Sequence, residues 1–275
     1  MLSRCLLIAS CLVTALTANT VLAEPPPPKD GPLGMKFVKL PEGTFYMGWD
    51  GEKKGTKTEI KEDFEIAIHT VTQEQWQTVM GSNPSYFSRD GGGKDDVKDI
   101  PDADLKQFPV ENVSWDDAQL FIKKLNERER GKGRLYRLPT EAEWEFACRG
   151  GATSEEECSH HFYFAKPTND LSSEQANFNG NFPFGNAPKG KYLGRSTKVG
   201  SYPPNKLGLD DMYGNVWQWC SDLQNPGSLY RVLRGAGWHS FGVNCRSASR
   251  IGIEPIGQYV HFGFRLAAVP DVGAK

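Results

Sequence analysis

The sequence predicts a single α+β domain poor in regular secondary structure, and three observations carry that expectation. Short runs of β-branched and aromatic residues read as strands, three segments carry helix-capping signals, and the second half is punctuated by Gly, Asn and Pro. The 275 residues are 38% hydrophobic with seven Trp and fifteen Phe, enough apolar material for a core, so wholesale disorder is excluded. Gly 29 and Pro 18 follow no collagen-like period and no 20- to 50-residue repeat appears, which sets aside solenoids and propellers. Lys+Arg 32 against Asp+Glu 34 leaves a net charge of −2, without the basic excess that nucleic acid or an anionic bilayer would attract.

Residues 1–23 read as a signal peptide: Arg4, an apolar stretch from Cys5 to Leu16, and Val21-Leu22-Ala23 before a cleavage site. Thr17, Asn19 and Thr20 cut the run short of the roughly 20 apolar residues that a membrane anchor needs. The rival lipoprotein signal at Ile8-Ala9-Ser10-Cys11 has too short an apolar core, so secretion or periplasmic export with cleavage near Ala23 is expected. No other transmembrane candidate exists in the sequence. Residues 24–34 form a Pro-rich leader, residues 35–270 the domain and residues 271–275 a tail.

Within the domain, Phe37–Leu40 and Thr44–Met47 flank Pro41-Glu42-Gly43 and read as a hairpin. Thr72-Gln73-Glu74-Gln75 has capping-box spacing and opens a short helix ended by Gly81. Residues 88–107, rich in Asp, Gly and Lys, read as a solvent loop, with Asp95-Asp96 a solvated acidic run. A longer helix begins at Ser114, with Ala118, Phe121, Ile122 and Leu125 at i, i+3, i+4 and i+7. A third is capped by Thr140-Glu141-Ala142-Glu143 and runs to Cys148. Beyond residue 150 only Tyr230–Arg234 and Gly263–Ala268 read as strands. Such loops bury little apolar surface, so disulfides or bound ions are expected to order them.

Cys148, Cys158, Cys220 and Cys245 are disulfide candidates in an exported chain, with three possible connectivities. Cys158-Ser159-His160-His161 lacks the second ligand cluster of a zinc site. His69 and His261 read as lone histidines, and His239 and Ser240, being adjacent on an extended segment, point apart and make no dyad.

Five motifs carry a family resemblance: Thr72-Gln73-Glu74-Gln75-Trp76, Pro109-Val110-Glu111-Asn112-Val113-Ser114-Trp115, Arg137-Leu138-Pro139-Thr140-Glu141-Ala142-Glu143-Trp144-Glu145, Gly214-Asn215-Val216-Trp217-Gln218-Trp219 and Gly263-Phe264-Arg265. Together, in order from about Met35 to Val269, they resemble the formylglycine-generating enzyme, or sulfatase-modifying factor, family. The resemblance implies an elaborated C-type-lectin-like fold and a family-level role in oxidising a sulfatase cysteine, in a Cys-x-Pro-x-Arg segment, to formylglycine or in modifying another exported protein. Active relatives hold copper(I) between two thiolates of a Cys-x4-Cys pair, the soft ligands this ion favours.

Here the matching segment, Arg234 to Arg250, contains Cys245 alone. An ungapped placement puts Ser240 and Cys245 on the two copper positions; a shorter loop makes Cys245 a scaffold residue. Gly237 also stands where active relatives carry a serine. Copper is therefore not an expected cofactor, and the alternative is a non-catalytic lectin-like binding module for an exported protein or peptide client.

Two further expectations rest on the resemblance. The relatives pair the equivalent of Cys148 with a cysteine directly after Gly-Phe-Arg; Leu266 stands there instead, so Cys148 finds another partner or stays free, and with Cys158 the nearest the expected pairing is Cys148 with Cys158 and Cys220 with Cys245. The family's calcium site maps onto Asp211, Gly214, Val216 and Gln218, an all-oxygen set suited to that ion. A second family calcium site maps onto Asn177 and Phe178, with its other ligands near Lys191 and Leu193, where a carboxylate is lost.

Overall fold

The computed structural model describes residues 27–51, 53–271 and 273, so the signal-peptide reading lies outside the described residues. Among the described residues thirteen short strands form: β1 (Lys29–Asp30), β2 (Lys36–Leu40), β3 (Gly43–Met47), β4 (Thr56–Ile60), β5 (Phe64–Ala67), β6 (Arg134–Arg137), β7 (Phe162–Tyr163), β8 (Pro167–Thr168), β9 (Trp217–Leu223), β10 (Arg231–Arg234), β11 (Arg250–Ile253), β12 (Phe262–Gly263) and β13 (Ala267–Pro270). The same residues form four α-helices: α1 (Gln73–Met80), α2 (Asp102–Leu105), α3 (Trp115–Arg128) and α4 (Glu141–Cys148). None of the described helices is long and apolar enough to cross a membrane.

The helix signals in the sequence are realised as side-chain caps. The side-chain hydroxyls of Thr72, Ser114 and Thr140 each accept the N–H of the residue three positions on, and each cap residue donates its own N–H to that residue's side-chain oxygen. Gly81 ends α1 in the left-handed region at φ 86°. The apolar face of α1 packs on that of α3 through Trp76, stacked on Phe121 at 5.4 Å, and Phe264 meets both rings edge-on.

A five-stranded antiparallel sheet has the order β1-β2-β5-β13-β6, and a four-stranded sheet the order β11-β10-β9-β12, with β12 parallel to β9. Two expectations change here. β2 and β3 do not form a hairpin: β2 pairs with β5, whereas β3 pairs with β4, because the chain crosses at Pro41-Glu42-Gly43 from one sheet to the other. The leader also enters the domain, since Lys29 pairs in register with Phe37 on β2 and Pro32 is buried. The outer edge of β6 is closed by Asn126 of α3, whose side chain accepts from the Tyr136 N–H and donates to its carbonyl at 2.8 Å each.

Residues 88–107 are not a bare solvent loop. Val97 and Leu105 are buried with Phe87 and Phe108 in a small second core, against which Trp238 packs. Glu111, on the neighbouring segment, accepts the Phe87 N–H at 2.8 Å and so fastens this lobe to the body. The strand expected over Gly263–Ala268 is split into β12 and β13, because Arg265 between them turns inward.

Candidate functional site

Helix α4 provides the anchor from which the site is built. Glu145 and Arg149, one turn apart, are both buried, and Glu145 accepts from Arg149 Nε at 2.8 Å, from the Gly48 N–H at 2.6 Å and from Arg234 Nη2. Burial alone would lower the Arg149 guanidinium, but the Glu145 carboxylate beside it more than offsets this and keeps it charged. Arg234 donates onward to the carbonyls of Ser247 at 2.8 Å, Ala248 at 2.9 Å and Ser249 at 2.7 Å. One carboxylate therefore fixes both ends of the loop that joins β10 to β11, the segment expected to hold the cleft.

That loop forms one wall of an open groove of about 440 Å³ over the four-stranded sheet, lined by Trp217, Ser240, Phe241, Ile253, Tyr259 and His261 among others. Among the described residues no charged side chain lines it. Gly237 lets the loop lie close: a Cβ there would stand 3.1 Å from the His261 Cβ and 3.3 Å from the Trp217 ring. Ser240 faces the groove, and its hydroxyl accepts the Gly237 N–H at 3.1 Å. Cys245 does not: it is fully buried in a 3-10 turn, its thiol 3.6 Å from the Phe241 carbonyl, and burial pushes the thiol well above its ordinary range. Of the two placements left open by the sequence, the scaffold role for Cys245 is the one realised.

The histidines differ from the sequence reading. His261 is not alone: its ring lies 3.9 Å from that of His239, centroid to centroid, with a 44° tilt. Burial lowers both, and the neighbouring His239 helps to push His261 down to about 3, so the pair is neutral at physiological pH. His69 lies 3.1 Å from the Asp210 carboxylate. His160 and His161 pack on Tyr163 and Phe184, and no cluster of three or more His, Cys, Asp or Glu suited to a metal occurs among the described residues.

The four cysteines are buried free thiols, so neither expected bridge, Cys148 to Cys158 nor Cys220 to Cys245, is formed. Each sulfur has its own polar neighbour: the Ser247 hydroxyl for Cys148 at 3.6 Å, the Ala152 carbonyl for Cys158 at 3.5 Å and the Gln218 carbonyl for Cys220 at 4.0 Å. They serve as small apolar residues of the core.

The residues read as a calcium shell are partly engaged by protein: Gln218 Oε1 accepts from Trp144 Nε1 at 2.8 Å and from Arg265 Nε at 2.7 Å, which uses its two lone pairs, whereas Asp211 Oδ1 is buried without a hydrogen-bond partner. Gln218 Nε2 donates to the Asp211 carbonyl at 2.7 Å. Arg265 also donates to the carbonyls of Ala67 and Ile68 at 2.9 Å and of Asp210 at 2.6 Å, so it takes over the loop-ordering task. Asp211 Oδ2 accepts the Gly200 N–H at 3.0 Å, and burial raises the carboxyl to about 6. Gly214 lies close against the neighbouring segment, where a Cβ would stand 2.2 Å from the Asn177 carbonyl oxygen.

Asn177 donates its amide to the Arg195 carbonyl at 3.0 Å and to Asn215 Oδ1 at 3.1 Å; Phe178 is core, and Lys191 and Leu193 are exposed. Sequence reasoning missed Asn215, whose side chain also accepts the Thr197 N–H at 2.9 Å and donates to the Thr197 carbonyl at 3.2 Å. The signal was its place after glycine, where a left-handed residue is common: Asn215 has φ 64°.

Short, mostly antiparallel sheets, capped helices and a loop-walled groove held by buried arginines define a lectin-like scaffold. The chain belongs to the sulfatase-modifying factor family: residues 24–269 match the Sulfatase-modifying factor enzyme 1-like domain. It is 37% identical over 171 residues to Inactive C-alpha-formylglycine-generating enzyme 2 of Bos taurus, covering 59% of this chain and 50% of that protein. To the Formylglycine-generating enzyme of Streptomyces coelicolor it is 32% identical over 217 residues, 72% of this chain and 62% of that one. The chain thus spans between half and two thirds of the length of these relatives. Treponema denticola variable protein 1 shares the fold with a TM-score of 0.66 at 24% identity, over 85% of this chain and 94% of that one.

Proposed function

We propose that this protein is a non-oxidising member of the family whose groove holds a segment of an exported client protein. The observation that carries the reading is at the two residues that an ungapped placement sets on the copper positions. Ser240 offers only a hydroxyl that caps the Gly237 N–H, and Cys245 is sealed in the core with its thiol kept protonated. Neither supplies the soft thiolate that copper(I) requires. The groove itself is intact and is walled by aromatic and aliphatic side chains that suit a peptide's apolar residues. Similarity to a relative described as inactive points the same way.

The test uses a fluorescent sulfatase peptide containing Cys-x-Pro-x-Arg, incubated with the protein, copper(I) and oxygen. Binding by anisotropy, weakened in Trp217→Ala, with no mass loss at the peptide cysteine, is the expected result. Conversion of that cysteine to formylglycine overturns the proposal. A peptide neither bound nor converted removes sulfatase segments as the groove's occupant.

A further inference from the structure

We infer that the client enters the groove as an extended, uncharged segment with an apolar side chain at every second position, added as a further strand to the open edge of β11. The inference rests on the client-binding reading and specifies how the client is held. Its starting point is the backbone of the four-stranded sheet. β11 pairs with β10 from Arg250 opposite Arg234 to Ile253 opposite Arg231, and it stands last in the order β11-β10-β9-β12. Among the described residues no other backbone group bonds to Arg250–Ile253. In such a strand the N–H and C=O of every second residue point away from the paired neighbour, and these unused groups are a template for a strand of another chain.

Side-chain direction along β11 decides which face of the added strand carries the apolar residues. Ile251 and Ile253, two positions apart and so on one face, both line the groove. Arg250 and Gly252 turn to the opposite face, which is occupied by protein. There Arg250 Nε donates to Glu141 at the head of α4 at 2.6 Å, and a Cβ on Gly252 would stand 2.2 Å from Gln224 Oε1. A strand laid beside β11 therefore extends the groove floor of Trp217, Ile251, Ile253 and Phe262 with its own alternate side chains.

The walls select the same class of side chain. Tyr259 and Phe241 line the groove while 47% and 45% exposed, and Phe182 packs on Phe241 with ring centroids 4.3 Å apart, so aromatic surface stands uncovered beside the floor. With no charged side chain among the described lining residues, a charged client residue seated there would lose hydration and gain no counter-ion. Val, Leu, Ile or Phe at the alternate positions bears no such cost and buries apolar area. Main-chain bonds to β11 then supply affinity, and the groove supplies specificity.

The probe is a blocked, fluorescein-labelled heptapeptide, Thr-Val-Thr-Phe-Thr-Val-Thr, followed by anisotropy and by amide hydrogen exchange over Arg250–Ile253. It should bind and slow exchange in that strand. Two backbone N-methylated forms, one methylated only at Thr and the other only at Val and Phe, separate strand addition from side-chain contact. One form should lose at least about tenfold in affinity, because its methyl groups replace the N–H donors facing β11, whereas the other should bind as the parent does. Ile253→Asp, shown to be folded by circular dichroism, should weaken the probe by a similar factor. No binding, equal effects of the two methylation patterns, or unchanged exchange over Arg250–Ile253 overturns the inference. So does dimerisation that protects the same strand without peptide, which makes a second copy the occupant. If Trp217→Ala weakens the probe or the sulfatase peptide while the methylation patterns act alike, the client-binding reading stands and strand addition alone is refuted.

Discussion

Removing the Glu145 carboxylate should be among the most damaging single changes in the molecule. In Glu145→Ala, the Gly48 N–H loses its acceptor, and Arg149 and Arg234, both with fully buried side chains, lose the carboxylate between them. Glu141 remains only 3.8 Å from Arg234, too far for a strong bond, and it is already engaged by Arg250 at 2.6 Å. Breaking a buried pair in this way costs about 3–5 kcal/mol, since it leaves uncompensated charge in the interior. Against a total stability of about 5–15 kcal/mol this is a large share, and for a domain of this size it lowers the melting midpoint by roughly 6–20 °C. The assay is equilibrium urea unfolding followed by tryptophan fluorescence, with Lys198→Ala as a control that breaks the exposed pair with Asp104. The control should change stability by less than about 1 kcal/mol. Should Glu145→Ala fall within the same range as the control, the reasoning about a load shared by one carboxylate fails.

Three further outcomes are expected. Burial raises Glu111 from 4.5 to about 8, against the opposing N–H bonds of Phe87 and Tyr86. The folded chain then holds a proton that the unfolded chain gives up near pH 4.5, so this stabilisation is complete below that pH and is lost as pH rises through 8. Glu111→Gln should cancel that slope, gaining on the order of 4 kcal/mol relative to wild type between pH 5 and pH 9; parallel stability profiles for the two proteins would contradict it. Because Trp144 and Arg265 already engage Gln218 Oε1, millimolar calcium or chelator should leave the melting midpoint unchanged, whereas a fall on chelation would restore the calcium reading. Thiol titration in denaturant without reductant, on protein lacking residues 1–23, should find Cys148, Cys158, Cys220 and Cys245 all reactive; a bridged peptide in a digest would show otherwise.

The parts legible in the sequence are those set by local chemistry. Thr72, Ser114 and Thr140 cap helices because the side-chain geometry of a capping box is complete within four residues. The family followed from motifs spread over the chain, although the purpose of several motif residues did not. Gln218 reads equally well as an oxygen ligand or as a hydrogen-bonding amide until Arg265, 47 positions away, is placed on it at 2.7 Å. The pairing of His239 with His261 is likewise a product of two loops meeting across the sheet, and neither residue's neighbours in the chain announce it. The apparent hairpin of β2 and β3 failed because a turn-rich gap limits how strands are connected without dictating which strand each will pair with. The inserted segment 88–107 looked solvated because its two buried anchors, Val97 and Leu105, are outnumbered by charged neighbours.

The five-stranded sheet has a bearing on how the protein is made. β5, formed early in the chain, is flanked on one side by β2 and on the other by β13, whose residues are synthesised more than 190 positions after β5. β6 in turn pairs with β13 alone along Arg134–Arg137, so it too waits for the end of the chain. The central sheet therefore cannot close while the polypeptide is still emerging, and its loop-closure entropy must be met before the long-range pairs form. Closure of this sheet is postponed until almost the whole chain has been made, which leaves β5 with one open edge and β6 without a partner strand in the meantime.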